Sequence, residues 1–216
     1  PISFLFSSIG MSIGIGGGSI VSRALGEGRK DKALLSFNNQ ITLTIILAIV
    51  ALIVGLFFKV PILNAFGAKG GIMPLAISYF NIVILGIPFL ALSMMANNNL
   101  RAEGKAKVAM VALLIPSALN IFLDYVFIDI MNWGMEGAGW ATSISYLGCA
   151  IFIGYFYISG KGELKIRPQL FKIDNTIVSE IFSIGSVNLV RQGTISLLAI
   201  VLNNTLYYYG NIEGGM

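Results

Sequence analysis

The sequence predicts an all-α, polytopic membrane protein of about six transmembrane helices. Hydrophobic residues fill 56% of the 216 positions and charged residues only 11%, against roughly 25% charged in an ordinary soluble domain. The mean hydropathy is +0.84, and so few charges cannot cover a surface that faces water. The apolar residues also fall in runs of helix-spanning length, not strand-length pieces, which selects helices over a barrel.

Six segments, lettered A to F, satisfy this reading. A runs from Ile2 to Val21 and carries Gly10, Gly14 and Gly18 at four-residue spacing, a face that lets a second backbone approach closely. B runs from Ala33 to Phe58 and is free of charge from Ile41 onward. C lies in the uncharged stretch of 31 residues between Lys69 and Arg101, with a loop part near Pro74 and Pro88 at its middle. D spans Val108 to Ile128 with Pro116 at its middle, E spans Gly137 to Ile158, and F spans Ile181 to Tyr209. Each internal proline removes a backbone hydrogen bond and bends its helix, which a membrane bundle tolerates. At about 1.5 Å per residue, every segment covers a hydrocarbon core of ~30 Å.

Charge in the connections sets the orientation. Arg23, Arg29, Lys30 and Lys32 lie between A and B, Arg101, Lys105 and Lys107 between C and D, and Lys161, Lys165, Arg167 and Lys172 between E and F, eleven of the 14 basic residues. The B–C connection has only Lys59 and Lys69, and the D–E connection holds Asp129 and Glu136 instead. The positive-inside rule makes the first group cytoplasmic, so A enters the cytoplasm and F leaves it. The basic excess is accounted for by topology and implies no nucleic-acid partner.

Several chemistries are excluded. Cys149 is the single cysteine and there is no histidine, so a disulfide framework, a cysteine or zinc centre and a Ser/His or Cys/His nucleophile are ruled out. No enzyme and no cofactor is expected. Gly14-Ile15-Gly16-Gly17-Gly18-Ser19 superficially suggests a phosphate loop, but no strand precedes it and no lysine closes it. The chain opens at Pro1 inside an apolar run and closes on Gly214-Gly215-Met216, as expected of a fragment.

The strongest local constellation is Asn120 and Asp124 on D, followed by Thr142 on E. Asp124 is the one acidic residue well inside a span, and such a carboxylate costs about 2.5 to 3.5 kcal/mol on insertion scales. Asn120 lies one turn deeper on the same face. Asp124 is five residues before Asp129 and Thr142 five after Gly137, which places both about 7 to 8 Å below the outer boundary. A carboxylate, an amide oxygen and a hydroxyl suit a small hard cation such as Na+, and a desolvated carboxylate can equally carry a proton. The competing readings are an Asp124 that snorkels to the interface marked by Trp133, and a Thr142 hydroxyl bonded to its own helix.

Arg191, about ten residues into F, is either a candidate substrate or coupling contact or a structural partner of a carbonyl. Arg23-Ala24-Leu25-Gly26 and Arg101-Ala102-Glu103-Gly104 repeat one signature at the cytoplasmic ends of A and C. Arginine there complements the helix dipole and glycine caps the helix, while the functional alternative makes Arg23 and Arg101 a cytoplasmic latch. Asn38, Asn39, Gln40 and Asn97 to Asn99 read as cytoplasmic-interface polar groups.

Residues 14–28 (GIGGGSIVSRALGEG), 100–105 (LRAEGK), 120–128 (NIFLDYVFI), 137–142 (GAGWAT) and 189–192 (LVRQ), with Asn203-Asn204 and Tyr209-Gly210, resemble successive landmarks of the multidrug and toxic compound extrusion (MATE) family. The resemblance implies part of a twelve-helix, two-lobe fold. Residues 1–160 would be helices two to six of the first lobe, 161–175 the cytoplasmic inter-lobe loop, and 176–216 helix seven, the start of the second lobe. It also implies a multi-pass protein of the cell (plasma or inner) membrane, monomeric at full length. The implied activity is secondary antiport, with organic and often cationic compounds or drugs leaving and Na+ or H+ entering as coupling ion. The family's first-lobe cation site matches Asn120, Asp124 and Thr142 and adds an acidic residue on helix one, which this chain does not contain. The alternatives are a lipid-linked oligosaccharide flippase of the same superfamily and a non-catalytic membrane assembly subunit.

Overall fold

The computed structural model describes residues 2–68, 70–167, 169 and 173–213, without the side chains of 2–6, 207 and 209–213. Lys69 and Lys172 of the charge pattern, Gly214 to Met216 and the Tyr209 side chain therefore lie outside the described residues. The chain is built of α1 (Ile2–Gly26), α2 (Lys30–Phe57), the short α3 (Lys59–Ala65), α4 (Met73–Ala102), α5 (Ala106–Asp124), α6 (Gly134–Ile158) and α7 (Asn175–Glu213). A 3-10 turn (Gly70–Ile72) leads into α4, and a π-helical turn (Tyr125–Ile130) extends α5. No strand occurs among the described residues.

Segments A to F correspond to α1, α2, α4, α5 with its π turn, α6 and α7, with α7 extending beyond F at both ends. Among the described residues five helices are long and apolar enough to cross a membrane: α2, α4 with its 3-10 turn, α5 with its π turn, α6 and α7. The sixth, α1, has 25 residues and lies in the interior, packed against α2, α4 and α7. Ile13, Ile20, Val21 and Ala24 of α1 join Phe37, Met95, Leu100, Ile153 and Ile181 in one continuous core. Outward-facing Ile45, Ile49, Ile53, Met110, Leu114 and Phe122 are exposed apolar residues, as expected where the surrounding solvent is lipid.

The glycine face of α1 works as a seam. A Cβ on Gly10 would run into the backbone of Ala91, and one on Gly14 would sit 2.8 Å from Met95 Cα, so α1 and α4 touch backbone to backbone. Pro116 in α5 has no N–H to give Ala112, and the Cys149 thiol of α6 donates to that carbonyl at 3.0 Å instead. The thiol is thus a structural donor.

Of the amides read as interfacial, Asn38, Asn39, Gln40, Asn97 and Asn99 are buried core groups, which corrects that reading for them, while Asn98 is half-buried. Gln40 and Asn99, both fully buried, exchange hydrogen bonds, with Asn99 Nδ2 donating to Gln40 Oε1 at 2.7 Å and Gln40 Nε2 to Asn99 Oδ1 at 3.3 Å. Asn97 Nδ2 donates to Ala109 O at 2.7 Å and ties α4 to α5. Satisfying both partners avoids the cost of roughly 1–3 kcal/mol for an orphaned buried group.

Glu103, just past α4, accepts the Glu163 N–H at 2.9 Å through Oε2 and so holds the segment between α6 and α7. Burial pushes its carboxyl above the ordinary 4.5, offset in part by the backbone N–H groups of Glu163 and Leu164. The folded state then holds the proton more tightly than the unfolded chain. This group's stabilising contribution is therefore complete below pH 4.5 and lost as pH rises through the raised value. Glu103→Gln keeps an acceptor without the buried charge, so its thermal midpoint in detergent at pH 7 should equal or exceed the wild type's, with a flatter profile toward acid. A lower midpoint at pH 7 would contradict this account of the site.

Candidate cation and substrate site

A cavity of about 420 Å³ opens between α1, α4, α5 and α6. Leu90, Met94 and Leu113 form apolar wall, and Ser7, Ser117, Asn120, Thr142, Ser145 and Tyr146 supply polar groups. Three hydroxyls donate backward to their own helices: Ser117 to Leu113 O at 3.2 Å, Thr142 to Ala138 O at 2.8 Å and Ser145 to Ala141 O at 2.6 Å. With its proton committed in this way, each hydroxyl has only lone pairs left to offer. The lining therefore combines apolar wall with hydroxyl oxygens free to accept and with the donors of Asn120 and Tyr146, a surface that suits an apolar body carrying a few polar groups.

Asn120 and Thr142 line this cavity together, from α5 and α6. Asp124 is not in the lining; it is the last α-helical residue of α5, one turn beyond Asn120, where the helix widens into the π turn. Single π turns inside helices occur frequently at functional sites. Stacking of Phe127 on Trp133 at 5.1 Å fixes the turn that follows. Asn120 Nδ2 and Asp124 Oδ1 are both buried and have no hydrogen-bond partner. Unpaired polar atoms one turn apart at membrane depth are costly, and such groups call for an explanation in a ligand, ion or water.

Arg191 is exposed on α7 and forms no ion pair with any described residue. The two latch candidates separate. Arg23 donates to Glu180 Oε1 of α7 at 2.9 Å, and Lys32 reaches Glu180 Oε2 at 3.4 Å. Arg101 is exposed and pairs with none of the described acids. Sequence reasoning missed Glu180; its signal was an acidic residue immediately before F, about one turn inside the start of α7, on the end of the bundle where basic residues are in excess.

Comparisons with known proteins bear directly on this arrangement. The multidrug export protein MepA of Staphylococcus aureus (strain MRSA252) is 28% identical over 211 residues, covering 98% of this chain and 47% of MepA. MepA of Staphylococcus saprophyticus is 26% identical over 213 residues, with the same coverage. This chain is thus similar to about half the length of those relatives. Among solved structures, a multidrug resistance MATE transporter in its inward-facing conformation matches with a TM-score of 0.88 at 28% identity, over 93% of this chain and 46% of that one. An outward-facing MATE transporter matches with a TM-score of 0.85 at 28% identity, over 91% and 44%. The family model MatE matches residues 1–126, more than half of the chain, and the chain belongs to the MATE family of membrane transporters.

Proposed function

We propose that the chain works within a secondary active antiporter of the plasma or inner membrane, exporting organic, often cationic, compounds in exchange for Na+ or H+. One observation carries this reading: the buried, unpartnered Asp124 Oδ1, one turn beyond Asn120, which lines a cavity of about 420 Å³. Asn120 and Thr142 offer neutral oxygens and Asp124 the charge, a donor set that suits Na+ or, at the carboxylate alone, a proton. The cavity takes the organic substrate. For ion entry to drive substrate exit, the ion has to bind one access state more tightly than the other, and the Arg23–Glu180 pair is a contact that one state keeps. On this reading residues 1–160 are helices two to six, 161–175 the connection and 176–216 helix seven.

An oligosaccharide flippase is disfavoured, because a pyrophosphate calls for basic groups and none of the cavity's lining side chains is basic. In the full-length protein, Asp124→Asn should reduce cation-driven ethidium export by tenfold or more while the variant still reaches the membrane. Wild-type export by that variant would remove Asp124 from the mechanism.

A further inference from the structure

We infer that the cleft between the cytoplasmic halves of α2 and α6 is a binding site for an anionic phospholipid of the cytoplasmic leaflet, one acyl chain lying in the cleft and the phosphate meeting Lys165 and Arg167. Such a site requires only the membrane setting and the orientation set by charge, and is independent of the transport reading.

Among the described residues α2 and α6 both pack along α4 but not along each other, and the gap left over α4 is a cavity of about 180 Å³. Ile41 and Ile45 of α2, Leu92 and Ala96 of α4, and Ile153 and Gly154 of α6 line it. Leu92 and Ala96 lie on the opposite face of α4 from Leu90 and Met94 of the larger cavity, so the two spaces are separate. On the flanking helices Ile45, Ile49, Ile151 and Tyr155 are exposed, and the cleft therefore opens sideways to lipid. Its outermost α6 residue, Ala150, is about 12 Å along the helix from the α6 end at Ile158, within the cytoplasmic half of a hydrocarbon core of ~30 Å. A Cβ on Gly154 would meet nothing within 4 Å, so this is open space and not a packed seam. An apolar cleft open to lipid at this depth suits a hydrocarbon chain.

The mouth of the cleft supplies the complementary charge. Ile166, in the segment after α6, joins the lining, and the exposed Lys165 and Arg167 stand on either side of it. The backbone there is fixed to the α2 wall, because the fully buried Asn38 donates to Lys165 O at 3.1 Å and accepts the Arg167 N–H at 2.8 Å. Neither basic side chain forms an ion pair with a described acid. The neighbouring carboxylates are engaged elsewhere: Glu163 pairs with Lys30 at 3.1 Å, and Glu103 accepts the Glu163 N–H at 2.9 Å. Two uncommitted cations beside an apolar slot match a phosphate joined to an acyl chain, and basic pockets between helices on the cytoplasmic side recognise anionic headgroups.

The test uses the full-length protein in detergent, offered phosphatidylglycerol or phosphatidylcholine of equal chain length, with retained lipid read by native mass spectrometry. We expect the parent to retain phosphatidylglycerol at least fivefold over phosphatidylcholine. Lys165→Gln with Arg167→Gln should bring that preference to within twofold, and Gly154→Leu, whose side chain enters the cleft, should cut phosphatidylglycerol retention at least threefold. Arg29→Gln with Lys107→Gln removes the same charge from the other cytoplasmic connections and should keep the preference. No preference in the parent overturns the proposal. So does an equal loss in the Arg29 and Lys107 variant, which means diffuse attraction, or unchanged retention in Gly154→Leu, which means that the chain lies elsewhere or a protein segment covers the cleft. Thermal unfolding checks that the variants fold. A measurement on the parent needs no variant: glycerophosphoglycerol, the headgroup without chains, should fail to displace the lipid, and displacement overturns the site.

Discussion

Valine at Gly10 should destabilise the protein by ~3 kcal/mol or more, seen as a drop in thermal midpoint in detergent and in the amount of folded protein recovered. A Cβ there overlaps the carbonyl oxygen, carbonyl carbon and Cα of Ala91, all of them backbone, so α1 and α4 have to separate. Overpacking usually costs about 1–3 kcal/mol when side chains can repack, and the upper end applies because no flexible side chain is there to yield. Gly154→Ala is the internal control. Nothing lies within 4 Å of a Cβ at Gly154 in α6, so alanine should stabilise by ~0.5–1 kcal/mol through backbone entropy alone. Equal effects at the two glycines would mean that α1 is not pressed against α4 as described.

Asn120→Ala should weaken coupling-ion affinity by about tenfold, equivalent to ~1.4 kcal/mol, whereas Thr142→Val should weaken it only a few-fold. The difference follows from bonding. The Thr142 hydroxyl already gives its proton to Ala138 O at 2.8 Å, so valine removes one neutral acceptor and leaves no strong donor unpaired. Asn120 lines the cavity one turn from the unpartnered Asp124 Oδ1, and alanine removes the amide whose carbonyl oxygen would share an ion with it. The concentration of Na+ or H+ giving half-maximal export measures both. A larger loss at Thr142 than at Asn120 would move the site from α5 toward α6.

Membrane residence and the six long helices were legible because lipid enforces a simple code: long apolar runs with positive charge at alternate connections. The run from Val108 to Ile128 and the helix Ala106–Asp124 with its π turn are the same object. What the run hides is the change of pitch at Asp124, which leaves no compositional mark. The short α3 was absorbed into the B–C connection, since Lys59–Ala65 is too short for a periodic signal and contains Pro61. Counting depth on two helices joined by a tight turn matched Asp124 to Thr142, whereas the residue that lines the cavity with Thr142 is Asn120, one turn deeper, and Asp124 is outside the lining. The partners of Asn38, Asn39 and Arg23 lie more than 120 positions away along the chain, and no local pattern specifies such pairings. Their visible trace was an unusual density of amides, Asn38-Asn39-Gln40 and Asn97-Asn98-Asn99, inside helices that otherwise carry apolar residues. Buried amides in a membrane bundle mark helix–helix or helix–loop contacts, and that signal pointed to the core more than to an interface.

The central claim is that a cation bound near Asp124 drives export. It is tested most directly by reconstituting the full-length wild type and Asp124→Asn side by side, imposing a Na+ gradient at equal pH and, separately, a pH gradient without Na+. The account predicts that at least one gradient drives ethidium export by the wild type and that neither drives it in the variant. Equal gradient-driven export by both proteins would contradict it.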